Sequence, residues 1–114
     1  MGMVYLASHK NTIDTRMTLS MLWERGDTPV SAELMCPSYY CDKWEDRLED
    51  VEKVQLLRRS LIPNCDYVII LCLDGWQHSD NMSRTISDAA DAGKRIAYMD
   101  HSYWSRDENV SKAK

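Results

Sequence analysis

The residues best suited to chemistry in this chain collect in one short stretch, Asp74-Gly75-Trp76-Gln77-His78-Ser79-Asp80-Asn81. The stretch joins an apolar run to an amphipathic one, so it reads as a loop that feeds the start of a helix. The first turn of a helix presents unpaired N–H groups and the positive end of its dipole, which suits a phosphate or a carboxylate. Ser79 and Ser83 add hydroxyls at that place, and the simplest role for either is an N-cap. Asp74 is a carboxylate at the end of the apolar run, where turn and cap roles are common. The three histidines, His9, His78 and His101, each follow an apolar run, with Asp74 and Asp100 nearby. Gathered on one edge they would form a donor set for a divalent transition metal. The simpler reading is that they are polar loop residues, and no metal is expected. Trp76, Trp104, Tyr39 and Tyr40 offer flat faces for a nucleobase. With no Phe in the chain, Trp and Tyr must also supply the aromatic core. Met17, Met21 and Met82 read most simply as core.

The composition narrows what such a loop can serve. The chain has 114 residues, which fits one domain, and 44% of them are hydrophobic, enough for a core without disulfide staples. A net charge of −4 argues against a binder of nucleic-acid backbones, which shows a basic face. Four glycines are too few for a Gly-rich dinucleotide or ATP loop, and neither GxGxxG nor GxxxxGK occurs, so no cofactor is expected. The longest apolar run, Tyr67–Leu73, is far short of a membrane span. No secretory signal precedes it, which points to the cytoplasm and to reduced thiols at Cys36, Cys41, Cys65 and Cys72.

The elements that must position the loop follow from periodicity. Met3–Ser8 reads as a buried strand. A helix follows, capped by Asn11-Thr12, carrying Ile13, Met17 and Met21 on one face and closed by Gly26. Thr28–Ala32 is a weak strand that Pro29 places near an edge. Residues 34–42 are irregular. A long helix is expected over 43–61, with Leu48, Val51, Val54, Leu57 and Leu61 as its apolar stripe and Glu45, Asp46, Glu49, Asp50, Glu52 and Lys53 facing water. Residues 66–73 form a continuous apolar strand of the kind covered on both faces. A short helix with Met82, Ile86, Ala89 and Ala90 ends at Gly93, and Arg95–Met99 is the last strand. Strands alternating with helices predict an α/β chain of flavodoxin-like, Rossmann-like form: a three-layer sandwich on a parallel sheet of about four strands in order 2-1-3-4. Ligands in such sheets bind beyond the carboxyl ends of the strands at the switch point, here residues 8–11 and 74–81. One domain is expected over 3–104, with a polar tail over 105–114.

Val4-Tyr-Leu-Ala-Ser8, Asn64-Cys-Asp-Tyr-Val-Ile-Ile-Leu71 and Gly75-Trp-Gln-His-Ser79, followed by Ala89 and Gly93-Lys94, resemble the nucleoside 2-deoxyribosyltransferase-like superfamily. The closest likeness is to a small branch with a Gly-Trp-x-x-Ser loop, and it spans most of the chain in element order. The resemblance implies a nucleoside or nucleotide ligand and a homodimer. It also implies a Glu in the helix after the loop, which attacks C1′ of a deoxyribose or holds the developing cation. Thr85 stands at that position. An acid implied before the third strand is Arg58 here. The glycine of the Ser-x-Gly-x-x-x-Glu pattern is Asn81, while Ser79 matches the serine that contacts a 5′-phosphate.

Glycosidic cleavage normally needs two carboxylates in different roles. Thr is a poor nucleophile without a base, and Arg58 stays protonated. Arg58, beside Arg59, is expected on a solvated helix face, or else paired with a phosphate. Asp88 shares a helix face with Thr85 and is a displaced-acid candidate. Asp74 is the better-placed carboxylate. The expected catalytic residues, if chemistry persists, are therefore Asp74 and Thr85. The expected ligand contacts are Ser8, His9, Gly75, Trp76, His78, Ser79 and Asn81. The first reading is a nucleotide- or nucleoside-binding protein lacking the usual carboxylate chemistry. Its alternatives are a hydrolase or transferase acting on the N-glycosidic bond of (deoxy)nucleoside 5′-monophosphates, and a protein–protein interaction module.

Overall fold

In a computed structural model of the chain, residues 2–10, 12–41 and 43–100 are described. Four strands, β1 (Met3–Ala7), β2 (Thr28–Val30), β3 (Tyr67–Cys72) and β4 (Arg95–Asp100), form one parallel sheet in order β2-β1-β3-β4. The register runs Val4 to Tyr67 and Ala7 to Ile70 between β1 and β3, and Tyr67 to Arg95 between β3 and β4. Three helices flank the sheet: α1 (Ile13–Glu24), α2 (Leu48–Leu61) and α3 (Asp80–Asp91). This is the expected α/β, flavodoxin-like sandwich and strand order.

Strand periodicity divides the core. Tyr5, Ala7, Val68 and Ile70 face one way and pack with Val51 and Val54 of α2 and Met82 and Ala89 of α3. Val4, Leu6, Ile69 and Leu71 face the other way and pack with Leu22 of α1. Because β1 and β3 are central and covered on both faces, their sequences are continuous apolar runs rather than alternating ones.

Chain reversals follow local chemistry. The Thr12 N–H reaches Thr15 Oγ1 at 3.5 Å, and Thr15 Oγ1 donates to the Lys10 carbonyl at 2.8 Å, fixing the start of α1. Gly26, at φ 91°, closes that helix, a left-handed conformation that glycine adopts without strain. Thr28 N–H donates to the Gly2 carbonyl, so Thr28 turns its donor toward β1. The next residue, Pro29, therefore points its nitrogen outward along the edge of β2 that pairs with no other strand among the described residues, where it has no hydrogen to offer.

Several expectations change. α2 begins at Leu48, five residues later than expected, because Trp44–Asp46 is a separate 3-10 turn. Leu48 is 71% exposed and does not join the apolar stripe. Ile13 and Met17 are exposed as well, so α1 rests on Thr15, Thr18 and Leu22 instead. Its threonines pack because each hydroxyl has a local acceptor: Thr18 donates to the Asp14 carbonyl at 2.8 Å. All four cysteines are free. Among the described residues, no helix is long and apolar enough to cross a membrane. Asn11, His101, Tyr103, Trp104 and the expected tail lie outside the described residues, as does the Tyr40 side chain.

Candidate functional site

The carboxyl ends of β1 and β3 lie side by side, and the two loops singled out in the sequence meet there. Ser8 closes its own loop. It is buried, its Oγ donates to the Lys10 carbonyl at 2.7 Å and lies 3.0 Å from Thr15 Oγ1, and its carbonyl accepts the Tyr39 hydroxyl at 2.8 Å. It braces the start of α1. His9 follows, half-buried over Gly75. A Cβ at Gly75 would stand 3.9 Å from His9 Nε2, an ordinary contact, but the φ of 85° there is what demands glycine. Burial holds the His9 imidazole below its ordinary value, and the Lys10 charge adds to this. A hydrogen bond to the Asp74 backbone and the Glu45 charge work the other way. The balance of these favours the neutral imidazole at His9.

Asp74 is exposed. With Lys10, Thr12, Asp14 and Leu73 it lines a crevice of about 170 Å³ at the switch point of the sheet. Trp76 is half-buried and its ring packs 5.8 Å from that of Tyr98, with planes at 48°. Trp76 thus braces the loop against β4. His78 is exposed. Among the described residues, no group of three or more His, Cys, Asp or Glu side chains gathers as a metal site, and His101 falls outside them.

The rest of the loop is tied to two glutamates that sequence reasoning had not placed in the site. Ser79 is the N-cap of α3: its Oγ accepts from the Met82 N–H at 3.2 Å. The same hydroxyl donates to the Glu45 carboxylate, 3.1 Å from either oxygen. The Asn81 N–H donates to Glu45 Oε1 at 2.8 Å. Glu45, expected to face water, therefore occupies the helix start that the sequence offers to a phosphate. It does so because a carboxylate is what unpaired N–H groups and a dipole's positive end attract.

Glu33 is fully buried in the turn after β2. It accepts from the Tyr5 hydroxyl, from Ser31 Oγ at 3.2 Å, and from Asn81 Nδ2 at 2.7 Å. Tyr5 is held well above its ordinary phenol range by burial first and by Glu33 second. Arg58, expected on a solvated face, has 0% exposure. Its Nη1 donates to Asn81 Oδ1 at 3.0 Å and lies 3.7 Å from Glu33 Oε2, and its Nε donates to Asp88 Oδ2 at 2.8 Å. Arg59 Nε joins Asp88 Oδ1 from outside at 3.2 Å. Asp88 is therefore engaged by two guanidinium groups. Thr85 is fully buried, and its hydroxyl donates to the Asn81 carbonyl at 2.8 Å.

The site thus has two parts. The crevice at Asp74 is open, with Lys10, Thr12 and Asp14 beside Leu73 in its lining. The neighbouring start of α3 is closed by Glu45 and backed by a buried network of Tyr5, Glu33, Asn81, Arg58 and Asp88. Strand position was the one sequence signal available for Glu33, which stands just past the carboxyl end of β2. Comparison with protein-family models, with curated proteins and with solved structures gave no match.

Proposed function

We propose that this chain binds a nucleoside in the crevice beyond β1 and β3 and leaves its glycosidic bond intact. The observation that carries this reading is the crevice itself: Asp14, Asp74, Lys10 and Thr12 line one small space at the switch point of the sheet. Carboxylates accept hydroxyl protons and an ammonium donates to hydroxyl oxygens, so this lining suits a sugar. A volume of about 170 Å³ is below the ~300–1,000 Å³ of sites that enclose drug-sized ligands. It holds the sugar and leaves the base outside. The nucleoside class comes from the resemblance to the 2-deoxyribosyltransferase-like superfamily. A nucleoside is favoured over a 5′-monophosphate because Glu45 already holds Ser79 and Asn81 N–H. Binding without cleavage is favoured because Thr85 is buried with its hydroxyl engaged and Arg58 replaces the second acid. The homodimer implied by the resemblance belongs to this reading, and sedimentation showing monomer alone would remove it.

One observation favours a second reading, cleavage of the glycosidic bond. Asp14 and Asp74 line the same crevice, and such chemistry normally runs on two carboxylates. A single experiment separates the two readings. The protein is incubated with nucleosides and 5′-monophosphates while melting temperature and free base are followed. Binding at one hundred times Kd adds about 2.7 kcal/mol of stability. The expected result is a rise in melting temperature with a nucleoside, lost in Asp74→Asn, and no base release. Base release that Asp74→Asn abolishes would establish the second reading. No shift with any compound would sink both.

A further inference from the structure

The geometry points to a second binding site, at the β2 border of the sheet, that takes an organic ammonium carried on an apolar body. α1 and α2 cover opposite faces of the sheet, and β2, only three residues long, leaves a hollow between them. Its volume of about 640 Å³ lies inside the ~300–1,000 Å³ of pockets that enclose a small molecule. Leu19 of α1, Val30 of β2, Leu34 and Leu61 line it and are half-buried. Trp23 and Met35 line it too, yet they are 68% and 69% exposed. Large apolar side chains gathered at a hollow and left in water mark a place where a ligand gains by covering them.

Charge selects the head group. Glu24 is the one charged side chain in this lining among the described residues. Its neighbour Arg25 does not neutralise it, because Arg25 Nη2 turns to Asp27 Oδ2 at 3.5 Å. The Pro29 carbonyl leaves β2 on the same side as its nitrogen, so this border presents an acceptor where an added strand would also need a donor. A carboxylate, a carbonyl and the negative face of an exposed indole all attract a cation that carries N–H groups. An anion meets no cationic side chain in this lining, and Ser31 Oγ is already committed to Glu33 at 3.2 Å.

The hollow shares no residue with the crevice at Asp74, so this inference stands or falls apart from nucleoside binding. Three probes with one ring test it: tryptamine is the cation, indole-3-ethanol its neutral counterpart and indole-3-acetate the anion. Each is titrated in low-salt buffer into the wild-type protein, Glu24→Gln and Trp23→Leu. Calorimetry gives the affinity, and the NMR shifts of the Trp23 indole N–H and the Met35 amide give the place. Both substitutions fall on exposed side chains, so folding is not at stake. Tryptamine should bind about tenfold more tightly than indole-3-ethanol, with indole-3-acetate weaker still. Glu24→Gln should bring tryptamine to within about threefold of indole-3-ethanol. Trp23→Leu should weaken tryptamine about threefold to fivefold. Equal affinities for the three probes, shifts confined to residues outside the hollow, or no tryptamine binding at all would overturn the inference.

Discussion

The backbone N–H of Asn81 meets Oε1 of Glu45 at 2.8 Å across 36 residues of sequence. The side chain of the same Asn81 reaches Glu33 with its Nδ2 and accepts from Arg58 with its Oδ1. One residue at the start of α3 thereby joins the turn after β2, the turn before α2, and α2 itself. A glycine at this position, as the resembled pattern has, could make only the backbone contact.

Removing the Asn81 side chain should therefore destabilise the whole domain. In Asn81→Ala, Glu33 and Arg58 each lose a buried partner. The expected loss is about 2–4 kcal/mol, from leaving buried charged groups short of hydrogen bonds. Urea unfolding at pH 7 measures it. A loss below about 0.5 kcal/mol would mean that the network is not holding these elements together.

Two neighbouring arginines should behave very differently. Arg58→Met strands Glu33 and one side of Asp88 in the interior, and breaking a buried ion pair in this way typically costs about 3–5 kcal/mol. Arg59 reaches Asp88 from a side chain that is 57% exposed. Its removal should cost under about 1 kcal/mol, as for other exposed pairs. Parallel denaturation curves decide, and equal effects would contradict the burial difference.

Acid should weaken the fold through His9. Burial lowers its pKa in the folded state, so the unfolded chain binds the proton more readily. The associated stability is fully present above the ordinary value of about 6.5. It is lost as pH falls from there through the depressed folded value. His9→Gln should flatten the stability–pH curve below about pH 6.5. An unchanged slope would show that His9 titrates normally.

Alkali should act through Tyr5. Its folded pKa is raised by burial and by Glu33, so its stability contribution is complete below the ordinary 10.0 and is lost as pH rises above that value. Tyr5→Phe removes this dependence. It should also lower stability by about 1–3 kcal/mol, because Glu33 and the Ala32 N–H each lose a buried partner.

Asp74 and Thr85 should separate binding from stability. Asp74→Asn alters an exposed side chain and should leave stability within about 0.5 kcal/mol while removing nucleoside binding. Thr85→Val deletes a hydroxyl bonded only to a helix carbonyl, so it should leave binding intact and change stability by under about 1.5 kcal/mol. The opposite pattern in calorimetric titration and thermal unfolding would return Thr85 to the site.

The sheet was legible in the sequence because its signals are local. β3 is an unbroken apolar run, Pro29 marks an edge, and Gly26 and Gly93 end helices at positive φ. The buried network was illegible because its pairs join residues 23 to 48 positions apart. Glu45 sits among charges spaced as on a helical surface, and only the approach of α3 turns it inward. Arg58 reads as a surface residue by type, and its burial depends on carboxylates from two other elements. The position of the loop at the strand ends was visible, whereas the groups already occupying it were not.

The outward nitrogen of Pro29 has a consequence for assembly. Indefinite growth of a sheet from molecule to molecule requires a receptive border on both sides of every copy. β2 offers a three-residue border with a missing donor at its centre, while β4 offers six residues. Copies that join through their β4 borders would close into a pair with a blunt β2 at each outer end. Among the described residues, joining through strands would thus stop at two molecules, because the blunt β2 borders give a filament nothing to extend from.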